Sequence, residues 1–138
     1  MAEHIARQKP RPGLILCSTA MRTRQTLAPL LALLDAPAPP IALENGLYLA
    51  SEDTLLAHLR ALADGVTTVL LIGHNDGIWH LAEGLAGSGP AAALAALRDK
   101  YPTGSLATLN APDGPWDDLA WGSAELVTFV RPRDLAAA

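Results

Sequence analysis

Only one phenylalanine, two tyrosines and three tryptophans occur in 138 residues, and there is a single cysteine. The lone Cys17 excludes an intrachain disulfide and any zinc site built from cysteines. It closes an apolar run and reads as a small buried hydrophobe rather than a nucleophile. Positive charge is scarce as well. Ten Lys and Arg against fourteen Asp and Glu give a net charge of −4, with no basic, aromatic-studded stripe of the kind that binds nucleic acid. No apolar stretch is long and unbroken enough to cross a bilayer, so no membrane partner is expected. The first residues, which include Glu3, hold no apolar core of signal-peptide type. A cytoplasmic location is the default expectation. The four histidines and the acidic residues form no metal-ligand motif, so no metal or other cofactor is expected.

What is present is a chain half hydrophobic by count, rich in Ala and Leu. A chain of this length buries roughly 65–70 % of its unfolded surface, enough for one core, and a single domain over residues 1–138 is expected. Helix and strand signals alternate, which favours a layered α/β fold over a helical bundle. Ala2 to Lys9 reads as a helix stopped by Pro10-Arg11-Pro12-Gly13. Leu14–Cys17 reads as a strand, Met21 to Asp35 as a helix kinked at Pro29, and Ile41–Leu43 as a short strand. Ser51 caps an amphipathic helix over Glu52 to Ala63, with Leu55, Leu56, Leu59 and Leu62 on one stripe. A strand over Thr67–Ile72 and a helix to about Ala86 follow, then Gly87-Ser88-Gly89-Pro90 as punctuation. Ala91 to Lys100 is helical, and Ser105–Asn110, Trp116–Ala120 and Ala124–Val130 are read as strands.

Two of these strands end in residues suited to chemistry. Val69-Leu70-Leu71-Ile72 is a continuous apolar run, as expected of a strand buried on both faces, and Gly73-His74 follows it directly. Asn75 and Asp76 then read as helix-start residues. His74 is thus delivered to the carboxyl end of a strand beside a helix N-terminus, the edge where open α/β sheets bind ligands and where anions are favoured. The strand ending in Cys17 leads into Ser18 and Thr19, read as N-cap candidates, and places Arg22 in the first turn of the next helix. A cation there opposes the helix dipole unless an anion is bound. Arg22 and His74 together suggest an oxyanion pocket, with Ser18 and Asn75 as further phosphate contacts.

The segment Leu14 to Thr26, the Ile72-Gly73-His74-Asn75 turn, Tyr101 to Ala107 and the closing Glu125 to Leu135 occur in an order and spacing that resemble the histidine phosphatase superfamily, and within it the small SixA-like phosphohistidine phosphatases. The resemblance implies a three-layer α/β/α sandwich of phosphoglycerate-mutase-like type. It also implies a phosphatase acting through a phosphohistidine intermediate, on phosphorylated protein (phosphohistidine) or a small phosphomonoester, without metal. Family members open with a strand carrying Arg-His-Gly or Arg-His-Ala, whose histidine is the nucleophile. This sequence contains no Arg-His pair. The expectation is therefore a domain missing its first strand and incomplete at its N-terminus, inactive by itself, with that strand placed between those carrying Cys17 and His74. The alternative is an inactive phosphoryl-binding or protein-interaction module.

By the same resemblance Arg22 and His74 are the catalytic residues present, neutralising the phosphoryl oxygens. A general acid, where the leaving group needs one, has Glu44 as its nearest candidate, although Glu44 reads first as a surface carboxylate. His4 lies in a helix with no apolar strand before it and does not replace the nucleophile. His58 and His80 read as structural or exposed, and Trp79, Trp116 and Trp121 as packing residues.

Overall fold

The computed structural model describes residues 1–136 and resolves into two compact units. One comprises Ala2–Ala50 with Ala63–His74; the other comprises Ser51–Leu62 with the chain from Asn75 onward. The first holds helix α1 (Ala2–Ala6), strand β1 (Leu14–Ser18), helix α2 (Met21–Leu33) and strands β2 (Ile41–Glu44) and β3 (Val69–Ile72). Its sheet is parallel throughout, in the order β2-β1-β3.

Burial follows from that order. Central β1 buries Ile15, Leu16, Cys17 and Ser18, whereas edge strand β2 leaves Ile41 and Leu43 exposed. Ile15 and Cys17 are register partners of Leu70 and Ile72, so all four share one face of the sheet. Leu27 of α2 packs on that face with Leu31 and Leu34. Thr23, Leu27 and Leu30, spaced four and three apart, form the buried stripe of α2. The helix runs through Pro29, which removes one i→i−4 bond, and ends at Leu33 rather than Asp35. Helix α1 is shorter than the sequence suggests, ending at Ala6; Pro10 disfavours helical backbone at Lys9.

One sequence expectation is corrected here. No strand separates β1 from β3. Leu14 to Cys17 pair residue for residue with Val69 to Ile72. Among the described residues β3 pairs with β1 alone, so the open edge lies on the opposite side of β3.

The second unit contains helices α3 (Glu52–Arg60), α4 (Gly77–Leu85), α5 (Ala91–Asp99) and α6 (Pro132–Ala136). Its strands are β4 (Ala86–Ser88), β5 (Leu106–Asn110) and β6 (Ala124–Val130), in the order β4-β6-β5. Strand β6 runs parallel to β4 and antiparallel to β5. Ser51 caps α3 as expected, its hydroxyl accepting from the Thr54 N–H at 3.3 Å, and Leu55, Leu56 and Leu59 are buried. A core of Ala82, Ala86, Leu97 and Leu126 is covered by Trp79, Tyr101 and Phe129. No helix of the described residues is long and apolar enough to cross a membrane.

Two local readings differ from the structure. The Gly87-Ser88 segment forms part of β4 rather than a plain loop, because glycine admits close backbone approach: a Cβ on Gly87 would lie 1.9 Å from the Gly122 carbonyl oxygen. Trp116–Asp118 forms a 3₁₀ turn instead of a strand, closed by the Leu119 N–H donating to the Trp116 carbonyl at 3.0 Å. The terminal strand runs from Ala124 to Val130 as the sequence predicts, and Pro132 then opens α6. Asp134 accepts from the Arg131 backbone N–H at 2.8 Å and from its guanidinium at 3.1 Å. That hydrogen bonding with Arg131 holds the exposed Asp134 carboxyl below its ordinary range.

Candidate functional site

Parallel pairing of β1 with both neighbours brings three chain segments out at one edge of the sheet. Ser18 and Glu44 are register partners at the carboxyl ends of β1 and β2. His74 follows β3 by two residues. The fully buried Ser18 Oγ lies 2.8 Å from His74 Nε2 and also accepts the Ala20 N–H at 3.3 Å. A hydroxyl has two lone pairs and one proton, so it satisfies both contacts with either imidazole tautomer. The ring's orientation is thus set by a strand end instead of a flexible side chain.

The turn leaving β1 is fastened from behind. Thr23, nearly fully buried, donates its hydroxyl to the Ser18 carbonyl at 2.8 Å and lies 2.9 Å from that of Ala20. Thr23 was not singled out in the sequence, because nothing local marks its burial beneath the turn. Thr19 donates to Asn45 Oδ1 at 2.7 Å, joining this turn to the loop after β2. Neither Ser18 nor Thr19 is an N-cap: that position belongs to Ala20, which has no side-chain cap bond. Both polar side chains are instead spent on tertiary contacts.

Arg22 is the second residue of α2, is exposed, and has no ion pair or side-chain hydrogen bond among the described residues. Glu44 is half-buried at its strand end. Asn75 does not cap α4, whose N-cap is Asp76; its side-chain amide donates to the Tyr101 carbonyl at 2.9 Å. His58 Nδ1 lies 2.9 Å from the Thr54 carbonyl, and His80 Nδ1 lies 3.7 Å from Glu52 on an exposed surface. Both fit the structural reading. Trp79 packs on its core and donates to the Leu97 carbonyl at 2.7 Å, as a packing residue does. Burial pushes the Cys17 thiol above its ordinary pKa, against a nucleophilic role, and Sγ donates to the Ser18 carbonyl at 3.3 Å.

The sequence reading also missed Tyr48. Its ring centroid lies 5.4 Å from that of His74, with the planes at 78°. Nothing in the local sequence marks it; Gly46-Leu47-Tyr48-Leu49 reads only as loop.

No family model matches the sequence. An uncharacterised protein of Mycobacterium leprae (strain TN) is 39 % identical over 120 residues, 86 % of this chain and 71 % of that protein. An uncharacterised protein of Mycobacterium tuberculosis is 40 % identical over 126 residues, 90 % of this chain and 76 % of that one. Among solved structures, a provisionally named phosphohistidine phosphatase SixA from Nakamurella multipartitia has a TM-score of 0.79 at 29 % identity, covering 95 % of this chain and 77 % of that one. A second, likewise provisionally named, from Agrobacterium tumefaciens has a TM-score of 0.74 at 30 % identity, covering 95 % and 75 %. A protein histidine phosphatase SixA complexed with tungstate shares the fold, with a TM-score of 0.70 at 21 % identity over 97 % and 80 % of the two chains. The order of motifs, the mixed α/β fold and these matches agree: the chain belongs to the histidine phosphatase superfamily, in its SixA-like branch.

Proposed function

We propose that these residues form the phosphoryl-binding half of a histidine phosphatase that acts on protein phosphohistidine. The observation that carries this reading is the Ser18–His74 contact at 2.8 Å, made at neighbouring strand ends beside the helix whose first turn holds Arg22. Two of the structural neighbours are named phosphohistidine phosphatases, and the third is named a protein histidine phosphatase. By family resemblance the reaction is in-line. A histidine of the enzyme attacks phosphorus, the bond to the substrate's imidazole breaks, and that imidazole keeps the electron pair and takes up a proton. Water then forms the new P–O bond and releases the enzyme's histidine.

Such a reaction needs the charge on three phosphoryl oxygens neutralised while attacking and leaving atoms stay aligned. Arg22 is permanently charged and can bond two oxygens at once. In this assignment His74, held by Ser18, donates to a third, and the N-terminus of α2 favours the anion. Asn75 is left out of this assignment, since its side-chain amide donates to the Tyr101 carbonyl. A leaving imidazole accepts a proton more readily than an alkoxide, which lowers the demand on Glu44 as acid. The attacking histidine is not assigned, because no Arg-His pair occurs in these 138 residues. A second reading is an inactive phosphoryl-binding or protein-interaction module.

Two measurements separate the readings. Calorimetric titration with tungstate tests the oxyanion site; binding that is lost in Arg22→Ala and His74→Ala supports the phosphoryl-binding assignment, and no binding overturns it. Phosphate release from a phosphohistidine-bearing protein then decides between phosphatase and binding module.

A further inference from the structure

Tyr48 is more than half exposed, at 57 % of its maximal surface, yet its ring is packed edge-to-face on the imidazole of the site. The ring therefore meets His74 on one side and is open to solvent on the other. The loop that carries it is not loose. Leu47 is fully buried as an anchor, the Tyr48 N–H donates to the Asn45 carbonyl at 3.0 Å, and Asn45 is held by Thr19. Leu49, next in sequence, has a φ of +48°, a left-handed backbone that branched side chains rarely adopt, and is itself 64 % exposed. Anchor, hydrogen bonds and strained neighbour together fix Tyr48 beside His74 with one part of its ring uncovered.

We infer that Tyr48 is a specificity-determining residue: its exposed ring forms an aromatic wall beside the oxyanion site and favours phosphoryl groups attached to a planar aromatic ring over those attached to an alkyl chain. The inference rests on the phosphoryl-binding assignment of Arg22, Ser18 and His74. A leaving group such as imidazole has a π-face to lay against the tyrosine; an alkyl phosphate has none. Aromatic pairing of this type favours the ring-bearing ligand about three- to tenfold.

The test uses three ligands that are not turned over, tungstate, ethylphosphonate and phenylphosphonate, titrated calorimetrically into the 138-residue chain and its variants. Tungstate carries no organic group and reports the oxyanion site alone. The expected result is that the wild-type chain binds phenylphosphonate three- to tenfold more tightly than ethylphosphonate. Tyr48→Phe should keep this ratio, and Tyr48→Ala should bring it close to one. A ratio near one in the wild type, or an unaltered ratio in Tyr48→Ala, overturns the inference while leaving the oxyanion site standing. An equal fall for all three ligands in Tyr48→Ala also overturns it, since Tyr48 would then only support His74. Absence of tungstate binding to the wild type removes the underlying assignment and this inference with it.

Discussion

The hydroxyl of Ser18 and Nε2 of His74 meet at 2.8 Å because β1 and β3 pair in register, Cys17 opposite Ile72. Ser18→Ala removes that contact and also deprives the Ala20 N–H of its acceptor. The half-buried Ala20 N–H loses a hydrogen bond that contributes about 0.5–1.5 kcal/mol, so the melting temperature should fall. Loss of the restraint on the imidazole should weaken tungstate binding about three- to tenfold, one hydrogen bond's worth. Unchanged affinity measured by titration would show that Ser18 is purely structural.

Arg22, proposed to hold the oxyanion, offers the converse case, an exposed residue with little structural duty. Arg22→Ala should leave stability within about 0.5 kcal/mol, as is usual for exposed positions. A hydrogen bond to a charged group contributes about 1.5–3 kcal/mol, so tungstate affinity should drop at least tenfold. Arg22→Lys keeps the charge but not the two-pronged geometry and should fall between. Titration and thermal melting on the same samples check both halves.

Burial pushes the Tyr101 phenol up to about 12, and its hydroxyl donates to the Ser105 carbonyl at 3.2 Å. The folded chain therefore disfavours the ionised phenol. Stability from this group is complete below the unfolded pKa near 10 and is lost as pH rises through 10 toward about 12. Over that window the loss should reach about 2–3 kcal/mol. Urea denaturation at several alkaline pH values should show a flatter dependence for Tyr101→Phe than for the wild-type chain.

Gly87→Ala should destabilise the second unit by about 1–3 kcal/mol or more, because the new Cβ would meet the Gly122 carbonyl carbon at 2.8 Å and its oxygen at 1.9 Å. Gly65→Ala is the control. Nothing lies within 4 Å of a Cβ there, and its unfolding midpoint should move by little. Equal behaviour of the two variants in guanidinium would contradict the packing described for β4.

How much of this was legible in the sequence depends on whether a residue's role is local. The β1 and β3 strands, the α3 helix with its Ser51 cap and the α5 helix follow from apolar period and capping chemistry. So does the placement of Ser18 and His74 at strand ends. Boundaries moved where tertiary contacts competed: Ser18 and Thr19 look like caps, but His74 and Asn45 claim their hydroxyls. Tyr48 and Thr23 were illegible because what makes them notable is a partner distant in sequence or buried beneath a turn. The pairing of β1 with β3 was misplaced for the same reason, since register between strands more than fifty residues apart leaves no mark on either one.

The open side of β3 has a consequence that can be read amide by amide. In a parallel ladder successive residues direct their N–H groups to alternate sides, so a strand bonded to one neighbour shields only every second proton. Deuterium uptake across Val69–Ile72 should therefore alternate between slow and fast, while β1, flanked by β2 and β3, stays slow throughout. The same one-sided ladder makes this short apolar segment an edge to which a further strand can add.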